Sequence, residues 1–78
     1  MERNQLMKDV FGRRLQSERV LAGKSRKDIA KYLGVSLASI SYYETGVNYP
    51  TVESLLKLAD LFEVSVDYLL GRTEERKI

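Results

Sequence analysis

With 78 residues, the chain is long enough for one small domain with a limited core. It contains no cysteine and no histidine, which excludes disulfides, thiolate or imidazole metal ligands and the commonest proton shuttle. The carboxylates are scattered and lack a glycine-rich phosphate loop, so we predict no enzymatic activity, no metal and no cofactor. No apolar run approaches a membrane span or a signal peptide, and we therefore expect a cytoplasmic protein without a membrane partner.

The net charge of +2 is unevenly distributed along the chain. Residues 1–35 contain nine basic and four acidic side chains, whereas residues 36–78 contain four basic and seven acidic ones. A basic first half favours a surface that faces phosphates, with the acidic second half turned away from them. Mixed-charge helix faces exposed to solvent are the alternative interpretation of this asymmetry.

The first predicted helix follows a polar segment, residues 1–7, which we expect to be flexible. It should run from about Lys8 to Ala22 and end before Gly23. Its apolar positions at helical spacing predict the face that packs on the core. These are Val10, Phe11, Leu15 and Leu21.

The next stretch predicts two short helices joined by a tight turn. Ser25 can cap a helix over residues 26–33, with Asp28 closing a capping box. Gly34 stands where a left-handed residue would end that helix. Ser36 can then cap a third helix near 37–45, so that the capped element covers 36–45.

Two further helices are predicted after the loop that contains Pro50. Thr51 caps the fourth helix, and Ser65 caps a short fifth helix that ends at Gly71. Their apolar residues are Val52, Leu55, Leu56, Leu58, Ala59 and Phe62, then Val66, Tyr68, Leu69 and Leu70. No stretch alternates like a strand, so we predict an all-α domain, residues 8–71, with a charged and mobile tail over residues 72–78.

The third helix has one buried and one exposed face. Ile40 and Tyr43 are three residues apart and should share the buried face. The outward face then carries Leu37, Ala38, Ser41, Tyr42 and Thr45. A capped helix after a glycine turn, with one buried stripe, is typical of the helix-turn-helix that lays its second helix in the DNA major groove.

From about Val10 to Gly71 the chain resembles the Cro/phage-repressor (XRE-type) helix-turn-helix family. The resemblance covers the motifs FGRRL, SRKDIAKYLGVS, ISYYETG and SVDYLLG, with Pro50 between the last two. It implies a compact five-helix fold like that of lambda repressor. It also implies a bacterial or phage-type protein that is associated with the nucleoid.

The resemblance implies which side chains contact double-stranded DNA. The base-facing positions would be Leu37, Ala38, Ser39, Ser41 and Tyr42. The phosphate-contacting positions would be Arg26, Lys27, Ser36, Thr45, Asn48 and Tyr49. Relatives commonly have glutamine at the position of Arg26, and glutamine, arginine or serine at those of Leu37 and Ala38. Because these two apolar residues can contact thymine methyl groups, we predict a T-rich half-site.

Other charged residues are predicted to act structurally. In relatives, the residues equivalent to Arg19 and Glu44 form a partly buried ion pair between the first and third helices. Arg13 and Arg14 are expected to be solvated. Lys24 is open between a phosphate contact and a side chain whose stem covers the core.

These observations favour a sequence-specific transcriptional regulator. The resemblance implies a repressor that binds a pseudo-palindromic operator as a homodimer, although a monomer that dimerises only on DNA is the alternative. Candidate dimer contacts are Val64, Val66, Tyr68 and Leu69, of which Leu69 could equally belong to the core. A second function class is an antitoxin or a module that is controlled by a protein antagonist; the short tail favours the plain regulator.

Overall fold

The computed structural model describes residues 3–77, which form five α-helices and no strand. The helices are α1 (Arg3–Leu21), α2 (Arg26–Leu33), α3 (Leu37–Glu44), α4 (Val52–Phe62) and α5 (Val66–Leu69). The predicted all-α fold with five helices around one core is confirmed. Within the described residues, no helix is long and apolar enough to cross a membrane.

Helix α1 begins at Arg3, five residues before its predicted start at Lys8. The first two residues of the predicted flexible segment lie outside the described residues, and Arg3–Met7 are helical. Their side chains are largely exposed, so apolar periodicity could not reveal this first turn. The amide of Gln5 donates to Asp9 Oδ1 at 3.0 Å and to the carbonyl of Gly46 at 2.9 Å, which ties the start of α1 to the loop after α3.

The boundaries of α2 agree with the prediction because its end signals are local. The Asp28 N–H donates to Ser25 Oγ at 3.0 Å, and the Ser25 N–H donates to Asp28 Oδ2 at 2.9 Å, which completes the capping box. Gly34 has φ of 71°, and the Val35 N–H returns to the carbonyl of Ala30 at 3.0 Å. This Schellman ending turns the chain within three residues into α3.

The later helices also begin at their predicted caps. Thr51 Oγ1 accepts from the Ser54 N–H at 3.1 Å, and Ser65 Oγ accepts from the Tyr68 N–H at 2.9 Å. Helix α4 ends at Phe62, and the following C-cap residue, Glu63, adopts a left-handed conformation with φ of 55°. The Val64 N–H then bonds to the carbonyl of Ala59 at 3.0 Å, and the Val64 side chain is completely buried in the core.

All five helices contribute to the single core. Its buried members are Phe11, Leu15, Ile29, Ala30, Leu33, Ile40, Tyr43, Leu58, Ala59, Phe62, Val64 and Leu69. Three residues predicted to face inward are instead exposed: Leu21, Val52 and Leu56. Leu21 lies in the last turn of α1, and α4 is covered on one side only, so part of its broad apolar face remains in solvent.

Helices α1 and α3 approach closely at Gly12. A Cβ at this position would lie 2.5 Å from the carbonyl oxygen of Glu44 and 2.7 Å from that of Tyr43. Both obstacles are backbone atoms, which cannot rotate away as a side chain can. The glycine therefore allows α1 to lie directly against the end of α3.

The charged C-terminal segment was predicted to be mobile, but residues 72–77 fold back onto the domain. The Ser65 N–H donates to the carbonyl of Arg76 at 2.8 Å, and the Arg76 guanidinium contacts both carboxylate oxygens of Glu18, at 2.8 and 2.7 Å. These contacts raise the pKa of Arg76 and hold the buried Glu18 as an ion pair.

Arg14 is not solvated as predicted, because the same C-terminal segment covers it. Its guanidinium carbon lies 4.2 Å from the centre of the Tyr68 ring. Arg14 Nη1 also donates to the carbonyls of Tyr68 and Thr73, at 2.6 and 2.8 Å. The neighbouring Arg13 is exposed, in agreement with its prediction.

Candidate nucleic-acid interface

Helix α3 turns a mixed apolar and polar face to solvent. Ile40 and Tyr43 are buried beneath it, as predicted. Leu37, Ala38 and Tyr42 are exposed, and Leu37 and Tyr42 show 54% and 48% of their surface. Ser39 and Ser41 are half-buried. The five predicted base-facing residues therefore all lie on α3, but only Leu37, Ala38 and Tyr42 have exposed side chains.

The start of α3 is organised by two hydroxyl groups. Ser36 Oγ accepts from the Ser39 N–H at 3.1 Å, and the two serine hydroxyls are 2.9 Å apart. Ser36 is exposed and caps the helix, so any phosphate contact by its hydroxyl would share this group with the cap.

The loop after α3 is held by contacts to α1 and α3. The carbonyl of Tyr42 accepts from the N–H groups of Val47 and Asn48, at 2.9 and 3.4 Å. The Tyr49 ring packs on Phe11 with ring centres 5.6 Å apart. The amide of Gln5 bonds to the loop at Gly46, a contact across 41 positions that no sequence pattern signals.

The predicted phosphate donors of this loop differ in availability. Asn48 is exposed. Partial burial raises the pKa of Tyr49 above its ordinary 10.0, and its phenol, which is protonated at neutral pH in either case, can donate a hydrogen bond. The Thr45 hydroxyl, in contrast, donates to the carbonyl of Ser41 at 2.8 Å and has no second hydrogen to offer a phosphate.

Below the exposed face of α3, the buried carboxylate of Glu44 joins three helices. Arg19 of α1 donates its Nε hydrogen to Glu44 Oε2 at 2.6 Å, which is the ion pair that the resemblance implies. Arg26 of α2 donates its Nε hydrogen to the other oxygen, Oε1, at 2.9 Å. Only 1% of the Glu44 side chain is exposed. The bond from Arg26 was not predicted, since this residue was considered only as a phosphate contact.

The remaining basic residues near α2 are exposed. Lys27 follows Arg26 in the first turn, and Lys24 precedes the cap. The carbonyl of Lys24 accepts from Arg19 Nη1 at 2.9 Å, so its backbone is fixed while its side chain remains in solvent. The exposure of Lys24 does not support the alternative in which its stem covers the core.

The predicted dimer contacts divide into two pairs. Val64 and Leu69 are fully buried in the core and cannot contact a second protomer, which corrects their assignment. Val66 and Tyr68 are half-buried, and Leu56 of α4, which lines the same surface groove as Val66, is exposed. Val64 lies in the connection between α4 and α5, Leu69 lies in α5, and both side chains are part of the core.

A helix-turn-helix family model matches residues 15–69, which is most of the chain and includes the α2–turn–α3 unit described above. The chain belongs to the XRE-type helix-turn-helix family. This assignment confirms the resemblance to Cro and phage repressors.

Relatives and a solved structure agree with the family. The chain is 42% identical over 59 residues to the cryptic phage CTXphi transcriptional repressor RstR of Vibrio cholerae, covering 76% of this chain and 53% of the repressor. It is 41% identical over 67 residues to the HTH-type transcriptional regulator ImmR of Bacillus subtilis, covering 86% and 53%. It thus spans about half the length of these relatives.

The crystal structure of the restriction-modification controller protein C.AhdI from Aeromonas hydrophila has a similar fold. The superposition has a TM-score of 0.69 at 26% identity and covers 80% of this chain and 94% of that protein. The fold is therefore shared with a restriction-modification controller protein.

Proposed function

We propose that the chain is a sequence-specific DNA-binding transcriptional regulator that inserts α3 into the major groove. The observation that carries this proposal is the construction of α3. Its inner face is anchored by Ile40, Tyr43 and Glu44, while Leu37, Ala38 and Tyr42 are left in solvent. The names of RstR and ImmR, a repressor and a regulator, support the same function.

In this proposal the bases are read mainly by apolar contact. Leu37 and Ala38, at the start of α3, would touch thymine methyl groups, since neither can form a bidentate bond to guanine or adenine. Tyr42 would add a hydrogen bond, and the half-buried Ser39 and Ser41 would lie close to the base edges. The expected half-site is T-rich and depends in part on DNA shape.

Phosphates would be held on both sides of α3. The Ser36 hydroxyl lies at the start of α3. Arg26, which bonds to Glu44 at 2.9 Å, and the neighbouring Lys27 lie towards the end of α3, where the loop with Asn48 and Tyr49 begins. Such contacts set the position of a helix on the duplex without reading its sequence. Thr45 would contribute only by releasing the carbonyl of Ser41.

A homodimer would place two α3 helices about one DNA turn, roughly 34 Å, apart on a pseudo-palindromic operator. Val66, Tyr68 and Leu56 are the accessible apolar residues that could pair two copies. Occupation of promoter DNA would then repress transcription.

The test is a selection on random duplexes with the purified chain, followed by titration at two salt concentrations. We expect an inverted repeat with T-rich half-sites and an affinity that falls steeply as salt rises. Binding without sequence preference would contradict the proposal.

A pair of matched variants locates the interface. Tyr42→Phe and Tyr32→Phe each remove one hydroxyl from an exposed tyrosine, but Tyr32 bonds to the carbonyl of Lys57 on α4 instead of facing the proposed groove. We expect only Tyr42→Phe to weaken binding to the selected operator. Equal losses for the two variants would place the interface elsewhere.

A further inference from the structure

We propose that Glu44 is a positioning residue for DNA binding, because its buried carboxylate presets the Arg26 guanidinium as a fork for one backbone phosphate. This inference rests on the proposed function and adds a role to the Arg19–Glu44 ion pair. Glu44 would act on the DNA only through Arg26, since its own carboxylate is covered by protein.

The two arginines that share Glu44 are used differently. Arg19 Nε and Nη2 contact the two carboxylate oxygens, at 2.6 and 3.4 Å, and Arg19 Nη1 donates to the carbonyl of Lys24. Every nitrogen of Arg19 is therefore engaged. Arg26 uses only Nε, and within residues 3–77 its Nη groups have no acceptor.

Exposure agrees with this division. The Arg19 side chain is 11% exposed, whereas that of Arg26 is 45% exposed. Arg26 thus has one nitrogen fixed inside the protein and two that face an accessible surface. A planar guanidinium held in this way can donate two parallel hydrogen bonds to a phosphate.

The charges of the cluster also favour an anion. Two guanidinium groups surround one carboxylate, which leaves the cluster with one positive charge in excess. A DNA phosphodiester carries one negative charge and would balance it. Because Glu44 ends α3 and Arg26 begins α2, a phosphate bound by Arg26 would be at a set distance from the base-reading residues.

The substitution Arg26→Lys distinguishes a planar guanidinium that bonds to Glu44 and a phosphate together from a simple positive charge. Its single ammonium can approach Glu44 or a phosphate, but it cannot bond to the first through Nε while offering a planar pair to the second. Lys27→Ala is the matched control, since Lys27 is the neighbouring exposed cation in the same helical turn and has no ion pair in the described structure.

The experiment measures the affinity of the full chain for its selected operator at several salt concentrations. We expect Arg26→Lys to keep the salt slope of the parent and to bind at least about tenfold more weakly, the cost of about one charge-assisted hydrogen bond. Lys27→Ala should lower the slope by about one and lose less affinity at low salt. Arg26→Lys binding within twofold of the parent would overturn the proposal.

A second comparison tests Glu44 itself. Glu44→Gln keeps the shape of the side chain, and we expect it to weaken binding in the parent but to add little to Arg26→Lys. If the two substitutions instead act independently, so that the double variant loses affinity by the product of the two single losses, the positioning role is overturned. Thermal melts of each variant give its melting temperature, and binding is then measured well below the lowest of these, so that every variant is folded. If the affinity of the folded Glu44→Gln variant equals that of the parent, the positioning role of Glu44 is overturned.

The two proposals fail in different ways. A parent chain that binds DNA without sequence preference would refute the regulator function before any variant is compared. A parent that binds its operator normally, together with a neutral Arg26→Lys, would refute only the role of Glu44 and Arg26.

Discussion

At the scale of single residues, the most constrained side chain is Glu44. A carboxylate removed from water is tolerated only with charged or hydrogen-bonding partners, and Arg19 and Arg26 supply both. The same reasoning explains Glu18, which is buried against Arg76. Among residues 3–77, two acidic side chains are thus buried, and each connects segments that are distant in the chain.

Glu44→Ala is expected to lower the free energy of unfolding by about 3–5 kcal/mol, because it leaves the Arg19 guanidinium largely buried without its partner. Urea denaturation followed by circular dichroism measures the change. Glu53→Ala is the control, since Glu53 is exposed and pairs with Lys57 at 3.5 Å on the surface of α4. That control should cost less than about 1 kcal/mol. Similar losses for both variants would contradict the structural role of Glu44.

At the scale of the elements, the residues at the helix ends determine where each helix begins and ends. The capping box of α2 holds the Asp28 carboxylate on the backbone N–H of Ser25, and this hydrogen bond lowers the pKa of Asp28 below its usual 3.8. The charge also lies at the positive end of the helix dipole. The half of the box that the Asp28 carboxylate supplies is therefore strongest while Asp28 is ionised, whereas the bond from the Asp28 N–H to Ser25 Oγ does not depend on that charge.

Asp28→Asn is expected to reduce stability at neutral pH and to lose that effect in acid. Because the folded-state pKa is lowered, the contribution of Asp28 is fully present above its unfolded value of 3.8 and disappears as the pH falls through the folded value. Urea unfolding of parent and variant between pH 7 and pH 2.5 gives the difference at each pH. A difference that stays constant down to the lowest pH would refute the role of the ionised box.

The C-cap of α4, in contrast, is a residue type that is poorly suited to its backbone conformation. Glu63 adopts φ of 55°, which costs free energy for a residue with a Cβ. We expect Glu63→Gly to raise the free energy of unfolding by about 0.5–2 kcal/mol, the usual range for an improved cap. Urea denaturation measures it, and Asp60→Gly, at an exposed position inside the same helix, should instead destabilise the protein.

Sequence reasoning succeeded where the determining interactions are local. The limits of α2 and the caps of four helices follow from neighbouring residues, such as Ser25, Asp28 and Gly34. It failed where a distant segment decides the outcome. Arg14 is covered by the C-terminal segment, and Val64 is buried by the packing of α4 against α5.

The candidate site was predictable to a similar degree. The outward face of α3 follows from helical spacing around Ile40 and Tyr43. The bond from Arg26 to Glu44 joins residues 18 positions apart, and that from Gln5 to Gly46 joins residues 41 apart. Neither pair leaves a periodic pattern, so only the folded structure reveals them.

At the scale of the whole molecule, the close contact of α1 with α3 determines how α3, the helix proposed to read DNA, is mounted. Gly12 allows this contact because a side chain there would meet the carbonyls of Tyr43 and Glu44. The Arg19–Glu44 ion pair joins the same two helices. Close backbone packing and a buried ion pair thus both hold α3 against α1.

Gly12→Ala is expected to destabilise the domain by about 1–3 kcal/mol, since overpacking against backbone outweighs the better helix propensity of alanine. Ser17→Ala is a control at an exposed position of the same helix, where alanine should be neutral or slightly stabilising. Thermal and urea unfolding compare the two. A Gly12→Ala variant as stable as the parent would show that the helices can separate freely.

The close mounting of α3 on α1 has a consequence for the architecture of an operator. In the proposed dimer, neither α3 could swing away from the rest of its own protomer to follow a displaced half-site. One extra base pair between the half-sites rotates one of them by about a tenth of a turn, and this rotation would have to be absorbed by twisting or bending of the DNA or by movement between the two protomers. Operators for such a protein should thus tolerate base changes between the half-sites more readily than changes in the number of base pairs that separate them.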